Sequence, residues 1–130
     1  MSFIYLASPY SHPNPGVMME RYLRVRTATA FLLRNRVWTY SPIVHCHELA
    51  LAHQLPTGAE YWEEYNHAML GRARELFVLQ LPGWEESKGI KGEMDFAKRK
   101  KIPICMMKHV EADEYSFLDE DGFEFGVDDI

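Results

Sequence analysis

The sequence predicts a three-layer α/β sandwich built on a mostly parallel sheet of four to five strands. Short apolar runs rich in β-formers alternate with longer stretches whose apolar residues recur every three or four positions, the pattern of strands joined by crossover helices. Each apolar run stops at a loop rich in proline, glycine or serine. The chain has 130 residues, 47% hydrophobic and 25% charged, which suits one hydrophobic core.

Phe3-Ile4-Tyr5-Leu6-Ala7 reads as a buried first strand that ends in the turn-rich loop Ser8 to Gly16, with its three prolines. From Val17 to about Arg36, Met18, Tyr22, Val25, Ala28 and Leu32 mark the inner stripe of an amphipathic helix. Val37-Trp38-Thr39-Tyr40 predicts a second strand, closed by a loop from Ser41 to His47. Helical stretches follow over His47 to Ala52 and from about Ala59 to Arg74, then the strand Leu76 to Leu81, which Pro82-Gly83 ends. A helix holding Glu93 to Lys100 and a strand from Ile102 to Met107 complete the alternation. Right-handed crossovers would place helices on both faces, a Rossmann-like, flavodoxin-like arrangement. Beyond a domain spanning residues 1–110, residues 111–130 predict an acidic tail or a hairpin turning at Asp121-Gly122, with disorder as a third form.

Charge separates along the same line. All 14 Lys and Arg lie in residues 1–110 with 10 Asp and Glu, and the remaining 9 acids follow Val110. A mildly positive body suits a small anionic substrate; nucleic-acid binding calls for a denser basic stripe with interleaved aromatics, so no such partner is expected. Lys98-Arg99-Lys100-Lys101 reads as a solvated helix end, where cations oppose the dipole. No run reaches the roughly 20 apolar residues of a membrane span, and the N-terminus lacks signal-peptide blocks, so a cytoplasmic protein with no membrane partner is expected. Cys46 and Cys105 are expected as free thiols.

Open parallel sheets bind ligands outside the carboxyl ends of their strands, so the loops Ser8 to Gly16, Ser41 to His47 and Pro82 to Glu93 should converge. None carries the full Gly-rich fingerprint of a dinucleotide site or a P-loop. In Ser87-Lys88-Gly89-Ile90, a loop turning into a helix offers backbone N–H groups and a hydroxyl to a phosphate, with Glu93 one turn further along. Ser87 as an N-cap and Glu93 as a stabilising carboxylate describe the same residues, and on physical grounds that structural reading stands first. His45 and His47, with His12 or His53, make a poor zinc signature, and no metal or cofactor is expected. Cys46 lacks an orienting constellation for nucleophilic chemistry. Of Trp62 and Trp84, both fitting core positions, Trp84 is the one a loop would bring to a base.

Tyr5-Leu6-Ala7-Ser8-Pro9-Tyr10-Ser11, Tyr40-Ser41-Pro42-Ile43, Ala68-Met69-Leu70 and Leu79 through Glu93 resemble the nucleoside 2-deoxyribosyltransferases and their hydrolase relatives, the 2'-deoxynucleoside 5'-monophosphate N-glycosidases. Similarity is greatest to a bacterial and phage branch of that superfamily, over residues 3–107. The resemblance implies that Glu93 attacks the anomeric carbon and that Tyr5 holds it by a hydrogen bond. It implies that Ser87 binds the 5'-phosphate; from the convergence of loops at the strand ends, Gly89 and the Ser8, Pro9, Tyr10 and Ser11 loop are expected on the same phosphate, and His45 or Trp84 near the base. It further implies a homo-oligomer.

Where relatives carry an aspartate that protonates the leaving base, this chain has Asn66. An amide is no proton donor of that kind, so His67, Glu64 or water would have to serve. The expected activity is therefore a nucleotide N-glycosidase, with a deoxyribosyltransferase and a non-catalytic nucleotide-binding module as alternatives.

Overall fold

The computed structural model describes residues 2–130. Strand β1 (Ile4–Ala7) leads into helix α1 (Pro15–Arg34), strand β2 (Thr39–Tyr40), helices α2 (Pro42–Ala52) and α3 (Ala59–Leu70), strand β3 (Glu75–Leu79), helix α4 (Lys88–Arg99) and strands β4 (Ile104–Glu111), β5 (Glu114–Leu118) and β6 (Glu124–Phe125). The six strands form one sheet in the order β2-β1-β3-β4-β5-β6. β1, β2, β3 and β4 pair in parallel, and β5 and β6 add an antiparallel end.

The fold is thus α/β as expected, with a larger sheet than expected. The additional strands come from the acidic segment. β4 runs to Glu111, past the expected boundary at residue 110, and β5 folds back on it. Asp119 Oδ1 accepts from the backbone N–H of Asp121 and Phe123, both at 2.9 Å, and Gly122 takes φ +85°. This turn sets Phe117 opposite Phe125. Phe117 is fully buried and packs edge-on to Phe77 and face-on to Phe125, so apolar burial outweighs the repulsion among the segment's acids.

Alternation along β1 and β3 divides the core in two. Ile4, Leu6, Phe77 and Leu79 meet Val25, Ala28 and Leu32 of α1, with Ile43 and Val44 of α2 at the margin. Tyr5, Ala7, Leu76 and Val78 meet Leu70 of α3 and Ile90 and Ala97 of α4 on the other face. Both faces of the central strands are covered, which explains their uninterrupted apolar sequence.

Two helix starts differ from the sequence expectation for a shared reason. The Ser41 side chain accepts from the Val44 N–H at 3.1 Å and Pro42 occupies the first turn, so α2 begins five residues before His47 and contains His45 and Cys46. Asn14 and Pro15 start α1 in the same manner, with Asn14 Oδ1 accepting from Gly16 N–H at 2.8 Å. Read along the chain, Pro15 belongs to a loop and Pro42 marks the end of a strand; in the fold each fits the helix position where no N–H donor is needed. Val37 and Trp38 stay outside β2, and Leu81 leaves β3 yet remains buried. Among the described residues no helix is long and apolar enough to cross a membrane.

Because Phe117 closes the core over Phe77, Phe117→Ala should destabilise the protein by about 3–5 kcal/mol, measured by urea denaturation. A loss below about 1 kcal/mol would show that β5 is peripheral to the core.

Candidate functional site

β1 passes through α1 to β2 at the sheet edge, and the chain then returns to β3 on β1's other side. The loops leaving β1 and β3 therefore part toward opposite faces, α1 on one and α4 on the other. A crevice of about 810 Å³ opens at this switch point, a volume in the range of small-molecule sites.

Glu93 lies at its floor. On α4, Ile90, Glu93 and Ala97 share the inner face, so the helix period that buries two apolar residues buries the carboxylate with them. The Tyr5 side chain points from β1 into the same layer, and its hydroxyl donates to Glu93 Oε2. Burial pushes the Glu93 carboxyl up to about 7 from an ordinary 4.5, against the opposing pull of the Tyr5 hydrogen bond. Burial, with the Glu93 charge beside it, raises the Tyr5 phenol well above its ordinary value, so Tyr5 remains a donor.

The loop after β1 forms one rim. Ser8 is buried with its hydroxyl unpartnered, and Ser11 Oγ donates to the Thr57 carbonyl at 2.8 Å, tying this loop to the α2–α3 connection. Tyr10 lines the crevice, whereas Pro9 is buried and does not. Arg21 of α1 reaches across to the β3 loop: Nη1 donates to the Ser11 carbonyl at 3.0 Å and Nη2 to that of Pro82 at 3.4 Å. Gly83, at φ +92°, lies under this strap, and a Cβ there would stand 2.5 Å from Arg21 Nη2. The positive φ favours glycine, and a Cβ would push the Arg21 guanidinium out of the strap.

The opposite rim is the start of α4. Ser87 Oγ accepts from the Ile90 N–H at 3.2 Å, so Ser87 caps the helix and also lines the crevice. Gly89 lets α4 approach α3, since a Cβ there would meet that of Ala59 at 3.3 Å. From α3, Asn66 presents a buried Oδ1 without a partner, and His67 lines the crevice with its ring stacked on Phe96. Glu60 and Glu63 line it too, whereas Glu64 does not.

The residues expected near a base are placed differently. His45 lies on the exposed side of α2, bonded to the Tyr65 hydroxyl at 3.1 Å, and Trp84 packs against the α3/α4 side of the core; neither lines the crevice. Trp62, Cys46 and His47 do. The early start of α2 accounts for this, because consecutive residues of a helix point in different directions where a loop would have left His45 free. Arg21, one turn before Val25 on α1, carried no sequence signal for its strap.

A family model described as a domain of unknown function, DUF1937, matches residues 2–109. The chain belongs to that family. No curated protein matches it. The DUF1937 match contains every residue of the crevice and most of β4, while β5 and β6 follow it. Among the described residues no group of three or more His, Cys, Asp or Glu is arranged to hold a metal ion.

The raised Glu93 carboxyl has a defined effect on stability. Between the ordinary value of 4.5 and about 7 the folded chain holds a proton that the unfolded chain releases. The stability conferred by the neutral carboxyl is therefore complete below the lower value and lost as pH rises through the upper one. Glu93→Gln, which cannot ionise, should exceed the parent in unfolding free energy by about 1–3 kcal/mol at pH 8 and match it at pH 4.5. Equal stabilities at pH 8 in chemical denaturation would contradict the assignment.

Proposed function

We propose that this protein is an N-glycosidase of (deoxy)nucleoside 5'-monophosphates, with Glu93 as its nucleophile. The observation that carries this reading is the Glu93 carboxylate at the floor of a switch-point crevice, held by the Tyr5 hydroxyl. Resemblance to the nucleoside 2-deoxyribosyltransferase superfamily, in which matching residues form such a pair, supports it. The α4 start, with Ser87 and Gly89, and the Arg21 side of the crevice supply donors for the 5'-phosphate.

A carboxylate oxygen of Glu93 attacks the anomeric carbon and the C–N bond breaks, its electron pair leaving on the base, which takes a proton from solvent or from His67. Water then attacks the anomeric carbon, frees Glu93 and gives the sugar 5-phosphate. The sum is nucleotide plus water to base plus sugar phosphate. Attack needs the ionised carboxylate, so kcat/KM should rise with pH through about 7.

Asn66 favours a second reading, a nucleotide-binding module without turnover. It stands where the resembling enzymes carry an acid, and its Oδ1 accepts hydrogen bonds and cannot protonate a base.

Chromatography of the purified protein incubated with a nucleotide panel should show free base and sugar phosphate, and Glu93→Gln should lower the rate by about 10³-fold or more. No free base from any nucleotide, or an undiminished Glu93→Gln rate, overturns the glycosidase. Labelled acceptor base appearing in nucleotide product identifies transfer instead of hydrolysis. Tyr5→Phe, which removes a bond that lowers the carboxyl, should move the acid limb of kcat/KM to higher pH, with the larger loss at pH 6.5 than at pH 8.5. A uniform loss at both pH values would assign Tyr5 a packing role alone.

A further inference from the structure

His47 is nearly inaccessible, 3% exposed, yet lines the same crevice as Glu93. Its two ring nitrogens are treated differently. Nδ1 lies 2.6 Å from the Tyr10 hydroxyl, and Nε2 is buried without a partner. The ring is fixed from two sides, stacked on Tyr22 at 4.0 Å between centroids and met edge-on by Tyr10. Two aromatic neighbours and a short hydrogen bond hold the imidazole in one orientation, so its free nitrogen has a defined direction.

The protonation state follows from the same surroundings. Burial lowers the imidazole below its ordinary pKa, which leaves it neutral at pH 7. Tyr10 makes no other side-chain hydrogen bond among the described residues, and burial raises its phenol, so it keeps a proton that Nδ1 can accept. A neutral imidazole that accepts at Nδ1 carries its hydrogen on Nε2. In that tautomer His47 is a fixed neutral N–H donor.

The wall around it selects the kind of acceptor. Ile43, Cys46 and Ala50 recur with His47 along one side of α2 and line the crevice. Trp62 of α3 also lines it, and its indole N–H is already spent on the Pro56 carbonyl at 2.8 Å, so it offers apolar ring surface. A phosphate dianion is poorly placed against such surfaces, whereas a planar heterocycle fits them and needs one polar group to fix its orientation.

We propose that Tyr10 donates to Nδ1 and that His47 is the base-recognising residue of this site, donating from Nε2–H to an acceptor atom on the edge of a heteroaromatic base that lies between α2 and Trp62. The assignment rests on the nucleotide reading above but not on turnover. It also places a donor where negative charge develops on a departing base, a role for a neutral hydrogen bond that Asn66 Oδ1 does not fill.

Binding separates the two ideas. Calorimetry with the Glu93→Gln protein, which holds ligand without cleaving it, compares nucleoside 5'-monophosphates with ribose 5-phosphate. Adding His47→Phe, which keeps a ring for Tyr22, should weaken the best-bound nucleotide by about 10-fold or more and leave ribose 5-phosphate within about twofold. His47→Gln, which restores an N–H donor, should recover part of the loss. If both ligands weaken equally, His47 is a structural support or a phosphate contact and base recognition is overturned. It is equally overturned if nucleotides bind no better than ribose 5-phosphate, or if neither binds. Should His47→Phe have no folded form, Tyr10→Phe, which releases Nδ1 and with it the tautomer, is expected to weaken nucleotide binding selectively in the same assay. Selective weakening of nucleotide binding with no free base from the parent protein would leave base recognition standing and remove the glycosidase.

Discussion

Burying Glu93 against the central strand opposes folding, and much of the architecture follows from holding it there. The carboxylate loses its water and recovers one hydrogen bond, from Tyr5. Strands whose residues are apolar on both faces offset that cost: Ile4, Leu6 and Ala7 around Tyr5 on β1, and Leu76 to Leu79 on β3, are essentially inaccessible. The Tyr5 phenol, raised by the same burial, keeps its proton and so holds a partner that would otherwise repel its charge. A carboxyl poised near neutrality and an unfavourable contribution to folding are two consequences of one placement.

The same tension appears in the polar groups around the crevice. Buried donors and acceptors in folded proteins are almost always paired. Ser8 Oγ, His47 Nε2 and Asn66 Oδ1 are buried and unpaired, and all three residues line the crevice. They come from three elements, the β1 loop, α2 and α3, so no local sequence pattern joins them. What joins them is the switch point, where the loops after β1 and β3 separate and Arg21 ties their rims together.

The C-terminal hairpin completes the core on the α1 face of the sheet. The DUF1937 match ends at residue 109, inside β4. β5 nonetheless supplies Phe117 to the α1 side of the core, and Phe125, Val127 and Ile130 pack beside it. A parallel sheet ending at β4 would leave Phe77 and Met107 uncovered on that face. Aromatic residues spaced along an acidic segment close it, with the acids turned outward.

The sequence by itself determined the alternation of strands and helices, since apolar periodicity and loop punctuation are local properties of the chain. It placed Ser87, Gly89 and Glu93 at a strand-to-helix turn for the same reason. It also held both signals for the hairpin, Asp121-Gly122 and the alternating Phe117 and Phe125, although net charge argued against them. Only the tertiary structure decided that Glu93 is buried, because helix phase gives a face and not what covers it. Only the tertiary structure brought forward His47 and Trp62 in place of His45 and Trp84. Which side of α2 meets the crevice depends on where that helix starts and on how it packs against β1, contacts between residues distant in the chain.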